Sequence, residues 1–339
     1  MKNIQLIKKT AIGIFSALFL FPLCLSVSAD ALELVPVGQA VGITLDMDGV
    51  SVVNTAEVKG YDGKSYTPAE DAGIKTGDTV TEINGEKINS ASRLAETVNE
   101  NGENQLTVKV KRGDDEKIVT VKAILSADDG HYRIGVWAKD AASGIGTVTY
   151  YNPESKEFGA LGHQISEPPS EDALPISGGS ILKSAVVSIE RGEKGVPGEL
   201  MGVFSEDKEK IGTVTENTVV GIKGILDGET NLGCDKTPIP VAARDEVYEG
   251  AAEIRSNIEG EKIETFSVEI QKINGDKEDT RGMVVKVTDP RLLEKTGGIV
   301  RGQSGSPIIQ DGKLVGAVTH VFVNDPTRGY GIFMENMLK

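Results

Sequence analysis

From Gly178 onward the chain repeats one pattern, a short run rich in Val, Ile and Thr closed by turn residues, roughly every eight to twelve positions. The runs at 185–189, 198–204, 211–216, 218–226, 264–273 and 282–288 belong to it. A helix needs a longer uninterrupted 3.6-residue period, so this cadence restricts the segment to a sandwich or barrels. Upstream, 132–137, 144–151 and the run Glu157-Phe158-Gly159-Ala160-Leu161-Gly162-His163 extend it. The span 130–339 therefore suits one all-β domain or a pair of small barrels. One stretch, 245–252, has a helix-like composition weakened by Gly250. The 40 glycines among 339 residues point the same way, because glycine serves turns better than helices.

Residues 34–125 read differently, as a compact α+β unit. Strands are expected at Val41-Gly42-Ile43-Thr44-Leu45 and from Gly49 to Val58, followed by a short helix that Gly73 stops. Asn84-Gly85 marks a tight hairpin. Ser90 can cap a helix from Ala91 to Asn99 that sets Leu94 and Val98 on one face. Alternating strands close the unit, and Asp128-Asp129-Gly130 reads as a linker.

Residues 1–29 have the pattern of an export signal. Lys2, Lys8 and Lys9 precede an apolar run over 11–27, and Val27-Ser28-Ala29 offers a small-residue exit. The run is also long enough, at about 17 residues, to be retained as a membrane anchor. Either outcome exports the rest. Cleavage after Ala29 removes three lysines and takes the net charge from −15 to −18. So acidic a chain is unsuited to nucleic acid or anionic lipid. With Cys234 the only cysteine then left, no intrachain disulfide forms and the cores must supply stability.

Gly302-Gln303-Ser304-Gly305-Ser306-Pro307 sits between two apolar runs and reads as an exposed turn between buried strands. A serine there can present its hydroxyl while neighbouring N–H groups point the same way, which a nucleophile and its oxyanion hole require. The base must come from His131, His163 or His320. His131 falls in the linker. His163 ends a small-residue strand, and His320 lies on the strand after the serine turn, so both remain open on spacing alone. Asp289, held by Pro290, suits either a carboxylate that orients an imidazole or a cap for a helix starting at Arg291. No His-Glu-x-x-His, no zinc-type cysteine cluster and no nucleotide loop is present, so neither metal nor cofactor is expected. Ser306 replaces the last glycine of a Gly-x-Ser-x-Gly elbow, which argues against an α/β-hydrolase.

Pro68-Ala69, Ala72-Gly73-Ile74, Gly77-Asp78 and Ile83-Asn84-Gly85 make 34–125 similar to a PDZ domain of the kind attached to bacterial proteases. That resemblance implies a groove for an added peptide strand, the peptide's end held by the loop Val41, Gly42, Ile43, Thr44. The Gly302–Pro307 hexapeptide resembles the serine loop of chymotrypsin-like proteases, implying a double β-barrel over 130–339 with an oxyanion hole at Gly302 and Ser304. Over Ser304-Gly305-Ser306-Pro307-Ile308-Ile309-Gln310, Gly316 to Pro326, Gly159 to His163 and Val287-Thr288-Asp289-Pro290 the chain looks like the stage IV sporulation protein B family. The resemblance implies a mostly β serine endopeptidase with a triad at His163, Asp289 and Ser304. Its aspartate stands close before the serine, unlike the ordinary chymotrypsin order.

The family further implies sporulation signalling in the space between forespore and mother-cell membranes. The protease would cleave itself and a membrane-bound regulator of an intramembrane metalloprotease, activating a late mother-cell sigma factor. A non-catalytic PDZ adaptor with a degenerate protease domain, and an envelope quality-control protease, are the alternatives.

Overall fold

A computed structural model describes residues 32–113, 115–166, 173–204, 209–228, 230–274 and 280–339. The export signal or anchor expected over 1–29, including the apolar run 11–27, lies outside them.

One strand, β1 (Ala40–Thr55), organises the first half of the molecule. Its early residues Val41, Ile43 and Leu45 alternate into one core, and its later residues Val50 and Val52 enter another. Between them stands Gly49 at φ +121°, where a Cβ would lie 2.7 Å from Thr79 Cγ2 and 2.8 Å from the Val80 carbonyl oxygen. The second core is that of the α+β unit: β2 (Thr79–Ile83), α1 (Ala91–Asn101), β3 (Gln105–Arg112) and β4 (Asp115–Lys122). Helix α1 begins where expected, with the Ser90 hydroxyl accepting from the Arg93 N–H at 3.0 Å. Asn84 and Gly85, both at positive φ, form the two-residue turn after β2.

A second long strand, β5 (Val136–Tyr151), runs antiparallel to β1 through both units. The polar break before it is a tight turn in which the Gly130 N–H donates to Ser126 O and the Asp129 carboxylate pairs with Arg133. Next come β6 (Glu157–Ala160), β7 (Ile176–Glu190), β8 (Glu199–Phe204), β9 (Lys210–Thr218) and β10 (Gly221–Leu226). Strands β5, β6, β10, β9, β7 and β1 follow one another in hydrogen-bonded order, and the β1–β5 pairing closes the ring. Val148, Phe158, Ile181, Val214 and Ile222 fill it, with the half-buried Cys234 packed against that core.

The third unit is a closed barrel of β11 (Gly250–Glu259), β12 (Lys262–Ile273), β13 (Met283–Val287), β14 (Pro307–Gln310), β15 (Lys313–Phe322) and β16 (Asp325–Phe333), with α2 (Pro290–Thr296) between β13 and β14. Phe266, Val285, Ile308 and Phe333 lie in its core. The mostly β fold expected from the strand cadence is present, in the double-barrel form that the serine-loop resemblance implied, beside a PDZ-type unit. The helix expected over 245–252 is not: a single 3₁₀ turn, Arg244–Glu246, precedes β11, which starts at Gly250. Gly250, at φ +157°, suits the extended entry to a strand, and the Ala252 and Ile254 side chains gain a barrel core that a lone helix would have lacked.

Val41, Gly42, Ile43 and Thr44 are also corrected. They form no ligand loop but lie mid-strand in β1, paired on one side with residues 143–146 of β5 and on the other with residues 180–183 of β7. Their backbone groups are therefore committed to ladders. Gly42 is small because the Phe204 ring crosses it, 2.2 Å from where a Cβ would sit.

Candidate active site and peptide groove

The serine turn is held from both barrels. Within its own barrel, the Gly305 N–H donates to Val318 O at 2.7 Å and the Val318 N–H donates to Ser306 O at 2.9 Å, tying the turn to β15. Inside it, the buried Gln303 side chain accepts from the Val300 N–H at 2.9 Å and donates to Ser256 Oγ at 3.1 Å. From the other barrel, Thr147 of β5 donates its hydroxyl to Gly302 O at 2.7 Å and its N–H to Ser304 O at 3.2 Å. Gly305 is forced by this junction. At φ +97°, a Cβ there would lie 2.1 Å from Thr147 O and 2.6 Å from the Leu161 N.

His163 reaches the same place from β6. Leu161 and Gly162 follow that strand with φ of 71° and 72°, a double left-handed turn that swings the imidazole toward the second barrel. Gly162 comes so close that a Cβ would lie 2.9 Å from both Ile332 Cγ2 and Thr319 Cγ2. Nδ1 of His163 lies 2.8 Å from the carbonyl oxygen of Gln164. That contact requires the proton on Nδ1 and leaves the Nε2 lone pair open. Burial pushes the His163 pKa below its ordinary value, with the Gln164 carbonyl opposing it in part. The His320 ring stacks beside it, centroids 4.7 Å apart and planes tilted by 37°.

His163, Ser304, Thr319 and His320 line one cavity of about 440 Å³ at the barrel junction. The Ser304 hydroxyl donates to Thr319 O at 2.6 Å. Gly302 takes φ +92°, and among the described residues neither its N–H nor that of Ser304 has a backbone acceptor. Such a pair of donors can receive an oxyanion.

Asp289 is elsewhere. Its expected place beside His163 is corrected, for it caps α2: one carboxylate oxygen accepts from the Arg291 N–H at 2.9 Å, and the other accepts from the Arg291 guanidinium at 2.8 Å and the Ser267 N–H at 3.3 Å. These bonds hold its pKa at about 2, the Arg291 side chain contributing most. Asp289 does not line the cavity, whereas the sequence offered both roles and helix capping is the one realised. Thr147, Gln164 and Thr319 carry no motif in the sequence. Their roles arise from backbone positions that only the junction brings together.

A second cavity, of about 480 Å³, lies between α1 and the start of β5. Ala91, Leu94, Ala95 and Val98 form the helix wall, and Val136, Trp137 and Ala138 the strand wall. One edge of those strand residues pairs with β1 at Thr55, Asn54 and Val52, while the other faces the helix. Gly135 enters the strand at φ +73°, its position fixed by the Ala56 carbonyl, only 2.3 Å from where a Cβ would lie. A groove between a helix and an open strand edge can take an extended chain as an added strand. The apolar-Gly-apolar run Ile134-Gly135-Val136 was its signal in the sequence, hidden because the run also reads as plain strand.

Two barrels meeting at a serine turn and a histidine, preceded by a helix-and-strand groove, define a serine peptidase with a PDZ domain. The SpoIVB peptidase S55 family profile matches residues 130–338, and the chain belongs to that family. The PDZ domain profile matches residues 40–123. Among solved structures, the PDZ domain of an SdrC-like protein from Listeria monocytogenes is 24% identical over 27% of this chain and 90% of its own, with a TM-score of 0.22. No curated protein matches the chain.

Proposed function

We infer that the chain is a signalling endopeptidase in which Ser304 is the nucleophile and His163 the general base. The observation that carries this reading is the shared cavity, where an imidazole with its Nδ1 proton tied to Gln164 O stands beside a serine on a turn with two open N–H groups. For reaction, the Ser304 hydroxyl turns from Thr319 O toward His163 Nε2. Its oxygen attacks the peptide carbonyl as the imidazole takes the proton, and the oxyanion accepts from the Gly302 and Ser304 N–H groups. The imidazolium then gives the proton to the leaving amine, and water repeats the sequence to release the acyl chain. The Gln164 carbonyl takes the orienting part that a carboxylate plays in a Ser-His-Asp triad.

Family membership supports the biological setting: export into the space between forespore and mother-cell membranes, self-cleavage, and cleavage of a membrane-bound regulator of an intramembrane metalloprotease upstream of a late sigma factor. The groove along α1 binds the peptide or chain end that brings a substrate to the enzyme. Incubating purified wild-type and Ser304→Ala protein and mapping self-cleavage by mass spectrometry tests the reading. Identical products from both would end it.

One observation favours a second reading, a PDZ adaptor with an idle protease domain: the Ser304 hydroxyl is bonded to Thr319 O and, among the described residues, no carboxylate meets His163. Peptide binding without turnover or fluorophosphonate labelling would select it.

A further inference from the structure

We propose that the cavity beside Ser304 selects peptides with an uncharged, aliphatic or aromatic residue at the cleaved bond, and that Arg301 at its rim favours an acidic residue next to it. This rests on Ser304 being the nucleophile.

Both barrels line the cavity with aliphatic side chains: Ile145 and Leu161 from the first, Val321 of β15 and Val323 just after it from the second. Among the described residues no carboxylate lines it, so a lysine or arginine side chain entering it would leave water without an opposite charge to meet. An apolar side chain has no such penalty and gains by leaving water.

Arg301 is the only Lys, Arg, Asp or Glu among the described lining residues, and it stands three positions before the nucleophile. It is exposed, and among the described residues it makes no ion pair. Its backbone is pinned on both sides: the N–H donates to Gly198 O at 2.8 Å and the carbonyl accepts from the Leu200 N–H at 2.9 Å. The guanidinium therefore pivots from a fixed point at the mouth of the cavity, where a substrate carboxylate can reach it. Water reaches the same place, which keeps the pairing modest and sensitive to salt.

The test is a set of quenched peptides identical except for Leu, Phe, Lys or Asp at the cleaved position, each with Asp or Lys as neighbour. Values of kcat/KM are taken for wild type, Arg301→Gln and Arg301→Glu at low and high salt, beside fluorophosphonate labelling of wild type. Ratios between peptides are read for each protein, so loss of active protein cancels. Leu or Phe should exceed Lys at the cleaved position by about 100-fold or more. An Asp neighbour should exceed Lys roughly three- to fivefold at low salt, falling toward parity at high salt, levelled by Arg301→Gln and reversed by Arg301→Glu. Equal cleavage after Lys and Leu, or a neighbour ratio untouched by Arg301→Glu, overturns the proposal while labelling of Ser304 persists. Absence of both labelling and turnover would instead remove the nucleophile, and the proposal with it.

Discussion

The Ser304 hydroxyl donates to the carbonyl of Thr319 at 2.6 Å, so it rests on β15 in the cavity that the His163 imidazole also lines. The proposed reaction requires the hydroxyl to leave that bond for His163. Ser304→Ala should lower peptide cleavage by about 10⁴-fold or more and abolish fluorophosphonate labelling. The hydroxyl makes one hydrogen bond, so the midpoint of chemical denaturation should move by no more than about 1 kcal/mol in stability.

Asp289 offers the sharpest separation of capping from catalysis. Asp289→Ala removes the α2 cap and its pairing with Arg291, and should destabilise the protein by about 1–2 kcal/mol. Asp289→Asn should retain much of the cap. For both, kcat/KM per folded molecule should stay within a few-fold of wild type. A loss of about 10⁴-fold in Asp289→Asn, of the size a triad aspartate gives, would return the residue to the catalytic centre.

The same carboxylate sets an acid limit on stability. Its pKa of about 2 in the folded protein lies below the ordinary value of 3.8, so the folded form binds the proton less readily than the unfolded chain. Its contribution is complete above about pH 4 and is lost as pH falls toward 2. With Arg291 largely in water, the amount is on the order of 1–2 kcal/mol. Denaturant titrations across this window should show a flatter acid limb for Asp289→Asn than for wild type.

Burial lowers the His163 pKa, so the neutral base persists to more acidic pH than a solvated imidazole would allow. The acid limb of kcat/KM should therefore have its midpoint below the ordinary histidine value of 6.5. A midpoint above that value would mean that an unseen carboxylate stabilises the imidazolium. Stability follows the same sign: it falls as acid protonates His163, because the unfolded chain takes up that proton first.

Trp137 is the chain's single tryptophan, and it lines the groove beside α1. Added peptides should change its fluorescence in a saturable way, and Ala95→Glu, which puts a charge on the helix wall, should weaken that binding at least about tenfold. Binding that survives Ala95→Glu would place the peptide site elsewhere.

Much of this molecule was legible from residue order alone. The cadence of apolar runs and turns implied a sandwich or barrels, because strand pairing and turn chemistry are local and repetitive. Ser90 capping Arg93 and the Asn84-Gly85 turn were equally plain, since each depends on residues within a few positions. Gly302 and Ser304 could be singled out because the turn's special backbone needs glycine whatever surrounds it.

Three things waited for the tertiary structure. Val41 to Thr44 read as a strand from their residues but as a ligand loop from the PDZ resemblance, and pairing with both β5 and β7 decides for the strand. Asp289 can cap a helix or orient an imidazole, and the nearness of Arg291 and Ser267 decides for the cap. His163 and Ser304 stand 141 positions apart, and no local rule connects them. They share a cavity because Thr147 grips the serine turn across the junction, while Leu161 and Gly162 bend β6 toward it. Sequence determined the parts, since local backbone chemistry does so. The placement of the base and of the groove depended on contacts between distant segments, which exist only once both barrels have closed.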